Sequence, residues 1–82
     1  MATFRDYLLV CYSSLYPTHD DSLNIVIEKY EHLIALHQRM LSCQPDMILR
    51  HFPDAEATLI LLIAELQHSL QTAKLLQIIQ EL

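Results

Sequence analysis

The sequence predicts an all-α fold, and three observations support that prediction. The 82-residue chain contains no glycine, although average usage of about 7% would give roughly six. Its apolar residues recur at helical spacing in three segments, with no convincing strand alternation. Pro17, Pro45 and Pro53 separate those segments. We therefore expect a single helical domain, residues 1–82, in which an antiparallel helical hairpin has a third, N-terminal helix packed on it.

The first predicted helix spans residues 3–15. Thr3 and Asp6 resemble a capping box, in which each side chain accepts a hydrogen bond from the other residue's backbone N–H. Four residues with i, i+3, i+4, i+7 spacing then form one apolar face: Leu8, Cys11, Tyr12 and Leu15. This spacing predicts that Cys11 is a small core residue.

The second predicted helix runs to about residue 43, and Asp21 or Ser22 is its expected N-cap. It has about six turns, or roughly 32 Å, and Gln44-Pro45 ends it. Its broad apolar stripe comprises Leu23, Val26, Ile27, Tyr30, Leu33, Ile34, His37, Met40 and Leu41.

The third predicted helix spans residues 54–82, after a short turn over residues 47–51. At roughly 42 Å it should extend about 10 Å beyond the second helix. One stripe comprises Leu59, Leu62, Ile63, Leu66, Leu70, Ala73 and Leu76. A second comprises Leu61, Leu75, Ile78, Ile79 and Leu82. No single partner helix covers both stripes, so the overhanging end is a candidate binding surface.

Composition excludes several classes of function. Without glycine, the chain cannot form the phosphate loops and nucleophile elbows that need positive φ or close backbone approach. Its net charge of −5 and five scattered basic residues argue against nucleic-acid binding. Its longest apolar run, residues 59–64, is too short to span a membrane, and no signal peptide is recognisable. We expect a cytoplasmic protein with reduced thiols.

No catalytic residue, metal site or cofactor is predicted. His32 and His37 are five residues apart and do not share a helix face as a metal-binding pair would. No basic cluster in the sequence surrounds Cys11 or Cys43 to activate a thiolate. An enzyme would require a closed pocket, for which Cys43 and His51 are the candidate lining residues.

The apolar content instead favours protein binding. Apolar residues make up 52% of the chain and its mean hydropathy is +0.23, which exceeds what a small monomeric core readily buries. Two alternatives stay open for Glu65, which either faces solvent or makes a polar contact in an interface. The tyrosines either close the ends of the core or anchor an interface. Predicted partner-binding residues are Leu61, Leu75, Ile78, Ile79 and Leu82, with Tyr30 and Met40 as secondary contacts.

The order of these segments resembles the small helical chaperones of bacterial type III export systems, closest in pattern to the flagellar filament-cap chaperone family. The comparable stretches are residues 23–34 (LNIVIEKYEHLI) and 74–82 (KLLQIIQEL). The resemblance implies a cytoplasmic chaperone or cochaperone that sequesters an export substrate or joins a chaperone complex. This chain ends where the family has a further regulatory helix, so neither autoinhibition nor transcriptional control is carried over.

The expected function is therefore a non-enzymatic binding module that takes a partner's amphipathic helix. The alternative is a homodimeric regulatory protein that titrates another protein, such as a transcription factor. In the first case, the chain expressed alone should be dimeric, aggregated or partly molten.

Overall fold

A computed structural model describes residues 3–42 and 50–82, and within these ranges it contains three complete α-helices. Helix α1 is Phe4–Cys11, α2 is Leu23–Ser42 and α3 is Ala55–Glu81. Helices α2 and α3 form the antiparallel hairpin, and α1 packs against the N-terminal half of α3. This arrangement confirms the predicted fold class, and the two described ranges contain no strand.

Local hydrogen bonds fix the start of α1 as the sequence predicts. The Asp6 backbone N–H donates to Thr3 Oγ1, and the Thr3 N–H donates to Asp6 Oδ2, each at 3.2 Å. The bond that the Thr3 N–H donates to the Asp6 carboxylate lowers the pKa of that carboxyl below its ordinary value, because it stabilises the charged form. The capping box is therefore confirmed.

Ser22, rather than Asp21, caps the start of α2. The Ile25 N–H donates to Ser22 Oγ at 3.4 Å. Asp21 Oδ2 instead accepts from Lys29 Nζ at 2.7 Å and from the Thr18 N–H at 2.9 Å. Asp21 thus ties the preceding turn to the second turn of α2.

Two adjoining hydrophobic clusters hold the three helices together. The first joins α1 to the start of α3 through Phe4, Leu8, Ala55, Leu59 and Leu62. The second joins α2 to the middle of α3 through Leu33, Ile34, Ile63 and Leu66. The aromatic rings of Phe4 and Phe52, with centroids 5.2 Å apart, close the end of the first cluster.

The prediction that Cys11 lies in the core is wrong, because its side chain is exposed. Helix α1 ends at Cys11, and the chain then tightens into a 3₁₀ helix at Ser13–Leu15. The buried row of α1 is therefore Phe4 and Leu8, one turn apart. Tyr12 and Leu15, the other members of the predicted face, are half-buried against the core clusters. Cys11 is therefore the one residue of that face that the structure leaves exposed.

The molecule is elongated and exposes more surface than its mass requires. Its radius of gyration is 14.3 Å, whereas a compact domain of this length has about 12 Å. Its accessible surface is 5956 Å², compared with roughly 5,100 Å² for a typical folded monomer of this mass. The excess of about 850 Å² indicates surface that the bundle itself does not cover.

The predicted difference in helix length is present and is shared between the two ends of α3. Helix α3 is about 40 Å long and α2 about 30 Å. Gln77 donates to Asn24 near the start of α2, so the last turn of α3 extends past the hairpin. At the opposite end, α1 and Phe52 cover the first turns of α3. Among the residues that the structure describes, none covers the C-terminal end of this overhang, where Leu82 is 99% exposed.

Several sequence predictions fall outside the described residues. They concern Cys43, the end of the second helix at Gln44-Pro45, and most of the turn over residues 47–51. Arg50 and His51, at the end of that stretch, are helical.

Candidate partner-binding face

Helix α3 has apolar residues on both sides, and the structure distinguishes a core side from a solvent side. The core side follows the first predicted stripe, in which Leu59, Leu62, Ile63, Leu66 and Ala73 are buried. Leu76 departs from that stripe because its side chain is 47% exposed.

The opposite side of α3 and its C-cap carries the second stripe, which we call the outer face. It comprises Leu61, Ala64, His68, Gln71, Leu75, Ile78, Ile79 and Leu82, all of which are exposed. The five predicted binding residues all lie here, with exposures of 64% (Leu61), 61% (Leu75), 56% (Ile78), 63% (Ile79) and 99% (Leu82). The structure thus brings these five residues onto one face.

The outer face is exposed because α3 has more apolar surface than its two neighbours can cover. A helix that is apolar on all sides normally lies in the interior of a larger assembly. Here α2 packs along one side of α3, and α1 covers only its N-terminal half. A contiguous group of large apolar side chains that faces water, here Leu75, Ile78, Ile79 and Leu82, is typical of a protein-interaction site.

Charged groups border the outer face and do not occupy it. Arg5 Nη2 lies 3.1 Å from Glu65 Oε2, so the ion pair draws Glu65 toward α1. Both side chains are more than half exposed, so this pair is worth at most about 1 kcal/mol. Of the two alternatives for Glu65, the structure supports the first: Glu65 is exposed to solvent, and its ion pair is with Arg5 of the same chain. His68 and Gln71 are the two polar members of the outer face, and its other six residues are apolar.

Tyr30 and Met40, the predicted secondary contacts, lie on α2 and away from the outer face. Tyr30 is half-buried, packs against the second core cluster and borders a shallow groove of about 280 Å³ between α2 and α3. Met40 packs against the first cluster, and its Sδ accepts a hydrogen bond from the Tyr12 hydroxyl at 3.9 Å. Both side chains contribute to core packing, and the structure does not bring them together with the outer face.

His37 is the one fully buried polar side chain among the residues that the structure describes. Its Nδ1 lies 2.6 Å from the Leu33 carbonyl oxygen, so Nδ1 is the donor of that bond. Its Nε2 is buried and has no hydrogen-bond partner. The position of His37 in the apolar stripe of α2 predicts that its side chain is buried. The spacing does not predict that its Nε2 has no hydrogen-bond partner.

Groups that could support catalysis are dispersed. The four other histidines, His19, His32, His51 and His68, are all exposed. Across residues 3–42 and 50–82, no group of three or more His, Cys, Asp or Glu side chains could hold a metal ion. Cys11 raises the pKa of the Tyr7 hydroxyl through a side-chain hydrogen bond, which disfavours a tyrosinate there. The pocket suggested around Cys43 and His51 stays a prediction, because Cys43 lies outside the described residues.

Comparison with known proteins gives no relative. No protein family, curated protein or solved structure matches this chain. Within the described part of the chain, no helix combines the length and apolar character needed to cross a membrane.

Proposed function

We propose that this protein is a non-enzymatic binding module that acts as a cytoplasmic type III secretion chaperone or cochaperone. In this role, the outer face binds an amphipathic helix of an export substrate or of a second chaperone subunit. The exposure of the five large apolar side chains of the outer face is the observation that carries the proposal. The resemblance in segment order supplies the secretion context.

The shape of the outer face suits a helical partner. From Leu61 to Leu82 it extends roughly 32 Å, the length of a helix of about 21 residues. Leu75, Ile78, Ile79 and Leu82 have i, i+3, i+4, i+7 spacing, which is the pattern of anchors in helix-to-helix recognition. A partner helix that covers this row removes its own apolar face from water as well, and so is kept from self-assembly.

The negative net charge of this chain favours a partner helix whose residues at the edge of the contact are neutral or basic. The chain carries a net charge of −5, and on α3 Glu65 borders one edge of the outer face and Lys74 the other. Complementary rim charges chiefly accelerate association and exclude wrong partners, whereas the apolar row supplies the affinity. An acidic partner helix should therefore bind more slowly, and this difference should shrink at high salt.

The proposal is tested by affinity capture from the native cell with two matched variants. Ile78→Lys introduces a charge into the outer face, in the last turn of α3. Val10→Lys introduces the same charge in the last turn of α1, at a side chain that is 77% exposed and outside the outer face. Lysine near a helix C-terminus is favourable to the dipole in both variants, so neither should unfold the protein.

Wild type and Val10→Lys should capture a type III export substrate or chaperone subunit, and Ile78→Lys should not. A synthetic helix from the captured protein should then bind the purified chain with the same dependence on Ile78. Equal capture by Ile78→Lys would contradict the proposal. Recovery of a transcription regulator in place of secretion proteins would favour the homodimeric regulator.

A further inference from the structure

The outer face follows a seven-residue repeat. One row contains Leu61, His68, Leu75 and Leu82, each seven residues from the next, and the other contains Ala64, Gln71 and Ile78. All seven side chains are exposed. Two rows with alternating spacings of three and four residues form the contact seam of a coiled coil. These seven residues therefore form such a seam, on the side of α3 that α1 and α2 leave uncovered.

We propose that a second copy of this chain covers the outer face, with the two α3 helices antiparallel and related by a two-fold axis. In this pairing, Leu61 packs against Ile78 of the second copy, and Ala64 packs against its Leu75. His68 lies opposite Gln71 of the second copy. The two-fold axis passes between His68 and Gln71, so each of these contacts occurs twice.

The two polar residues select this register. With the axis between His68 and Gln71, every apolar residue of the seam from Leu61 to Ile78 faces an apolar residue, and the imidazole can hydrogen-bond to the amide. A shift of one heptad places His68 opposite Ile78 or Ala64 and leaves the polar groups of the seam without partners. Polar residues within a coiled-coil seam specify register in this way.

Two features favour the antiparallel over the parallel orientation. Antiparallel helices place the positive end of each dipole beside the negative end of the other. In addition, that orientation keeps the two Glu81 carboxylates at opposite ends of the dimer.

The molecule exposes enough surface to contribute one side of a stable dimer interface. Its accessible surface of 5956 Å² exceeds that of a typical monomer of this mass by about 850 Å², and a standard interface buries about 800 Å² on each partner. The outer face supplies part of that excess, because its five large apolar side chains are each at least 56% exposed. Covering it would therefore lower the exposed surface of each copy toward the ordinary value.

This inference rests on the proposed function, because the self-pairing uses the face that is proposed to bind a partner helix. A second copy would hold the face covered until the partner's helix displaces it. The free chain should then be a dimer, and the complex should contain one copy of the chain for each partner helix.

Site-specific cross-linking tests the register in the full-length chain. Cys11→Ser and Cys43→Ser first remove the native thiols, and Ala64→Cys and Leu75→Cys are then introduced in separate proteins. The two proteins are mixed after reversible unfolding and treated with a short thiol-to-thiol cross-linker. The antiparallel register brings position 64 of one copy beside position 75 of the other, so the mixture should give a covalent dimer. Neither protein alone should give one.

Cross-linking of either protein with itself would indicate parallel pairing and overturn the proposal. Absence of a covalent dimer in the mixture, with helical circular dichroism intact, would overturn it as well. As an independent measurement, Ile78→Lys should weaken dimerisation by at least about tenfold in sedimentation equilibrium, because it sets a charge against Leu61. Val10→Lys should leave the dimer unchanged.

Failure of this inference and failure of the proposed function have different signatures. A monomer that still binds a secretion partner through Ile78 would overturn the self-pairing and leave the proposed function standing. A correctly cross-linked dimer that captures no secretion protein would do the reverse.

Discussion

Adjacent leucines on α3 provide a sharp test of which side of the helix is the core. Leu62 is 4% exposed and lies in the first core cluster, whereas Leu61 is 64% exposed on the outer face. Replacing each by alanine removes the same atoms from neighbouring positions of one helix. The two variants therefore share their change in composition and almost all of their change in helix propensity, and they differ in burial.

The expected costs follow from that burial. Leucine to alanine removes about three methylene equivalents, or roughly 2.4 kcal/mol of transfer free energy when fully buried. The residual cavity adds to this, so Leu62→Ala should lower the free energy of unfolding by about 3 kcal/mol, within the range of ~2–5 kcal/mol for buried leucines. Leu61→Ala should cost less than about 1 kcal/mol, because two thirds of that side chain already faces water.

Thermal and urea unfolding, followed by far-ultraviolet circular dichroism at low protein concentration, measure both variants. Leu62→Ala should lower Tm by roughly 12–24 °C and Leu61→Ala by less than about 8 °C, since 1 kcal/mol corresponds to about 4–8 °C in a domain of this size. Raising the protein concentration should enlarge the effect of Leu61→Ala, because that residue lies in the proposed dimer seam. Equal costs at low concentration would refute the assignment of the two faces.

Three further substitutions test individual features of the fold. His37→Leu removes the buried, unpartnered Nε2 and should raise the free energy of unfolding by about 1 kcal/mol; a lowered urea midpoint would indicate that the nitrogen has a partner. Asp21→Asn should reduce stability at neutral pH, because Lys29 lowers the pKa of Asp21 and its charged form stabilises the fold. That stabilisation is present above the ordinary value of about 3.9 and is lost as pH falls through the lowered folded-state pKa. The unfolding midpoints of wild type and Asp21→Asn should therefore converge at strongly acidic pH, and a constant difference would contradict this. Thr3→Ala removes one half of the capping box and should cost about 1 kcal/mol in the same urea assay; an unchanged midpoint would show that α1 contributes little to folding.

Local signals predicted most of the fold. The Thr3–Asp6 pair encodes its own geometry, because a capping box needs only residues within one turn. The prolines and the Ser22 cap likewise set where helices begin and end, and they act through neighbouring residues alone. The sequence therefore predicts the boundaries of α3 to within a residue at each end.

Features that depend on distant contacts could not be predicted with the same success. Periodicity gives the angle of each residue around α3, but the choice of which side meets α2 depends on how three helices pack together. Leu76 shares the angular stripe of the core residues and is nevertheless 47% exposed. Tyr30 and Met40 have an ambiguous pattern for the same reason, and the structure gives both a packing role.

The outer face could be predicted from the sequence in part. The sequence identified its five large apolar residues, because a second stripe on one helix exceeds what one neighbouring helix can cover. The continuous seam through Ala64, His68 and Gln71 required the structure. These three residues are not large and apolar, and only their shared exposure with Leu61 and Leu75 places them in one row.

Sedimentation equilibrium of the purified chain, with an apolar dye present in a parallel sample, tests whether the outer face requires a protein cover. Wild type should sediment as a dimer with little dye bound, because the second copy covers the face. Ile78→Lys should sediment as a monomer and bind the dye at the remaining apolar residues of the face. A compact wild-type monomer that binds no apolar dye would contradict the account.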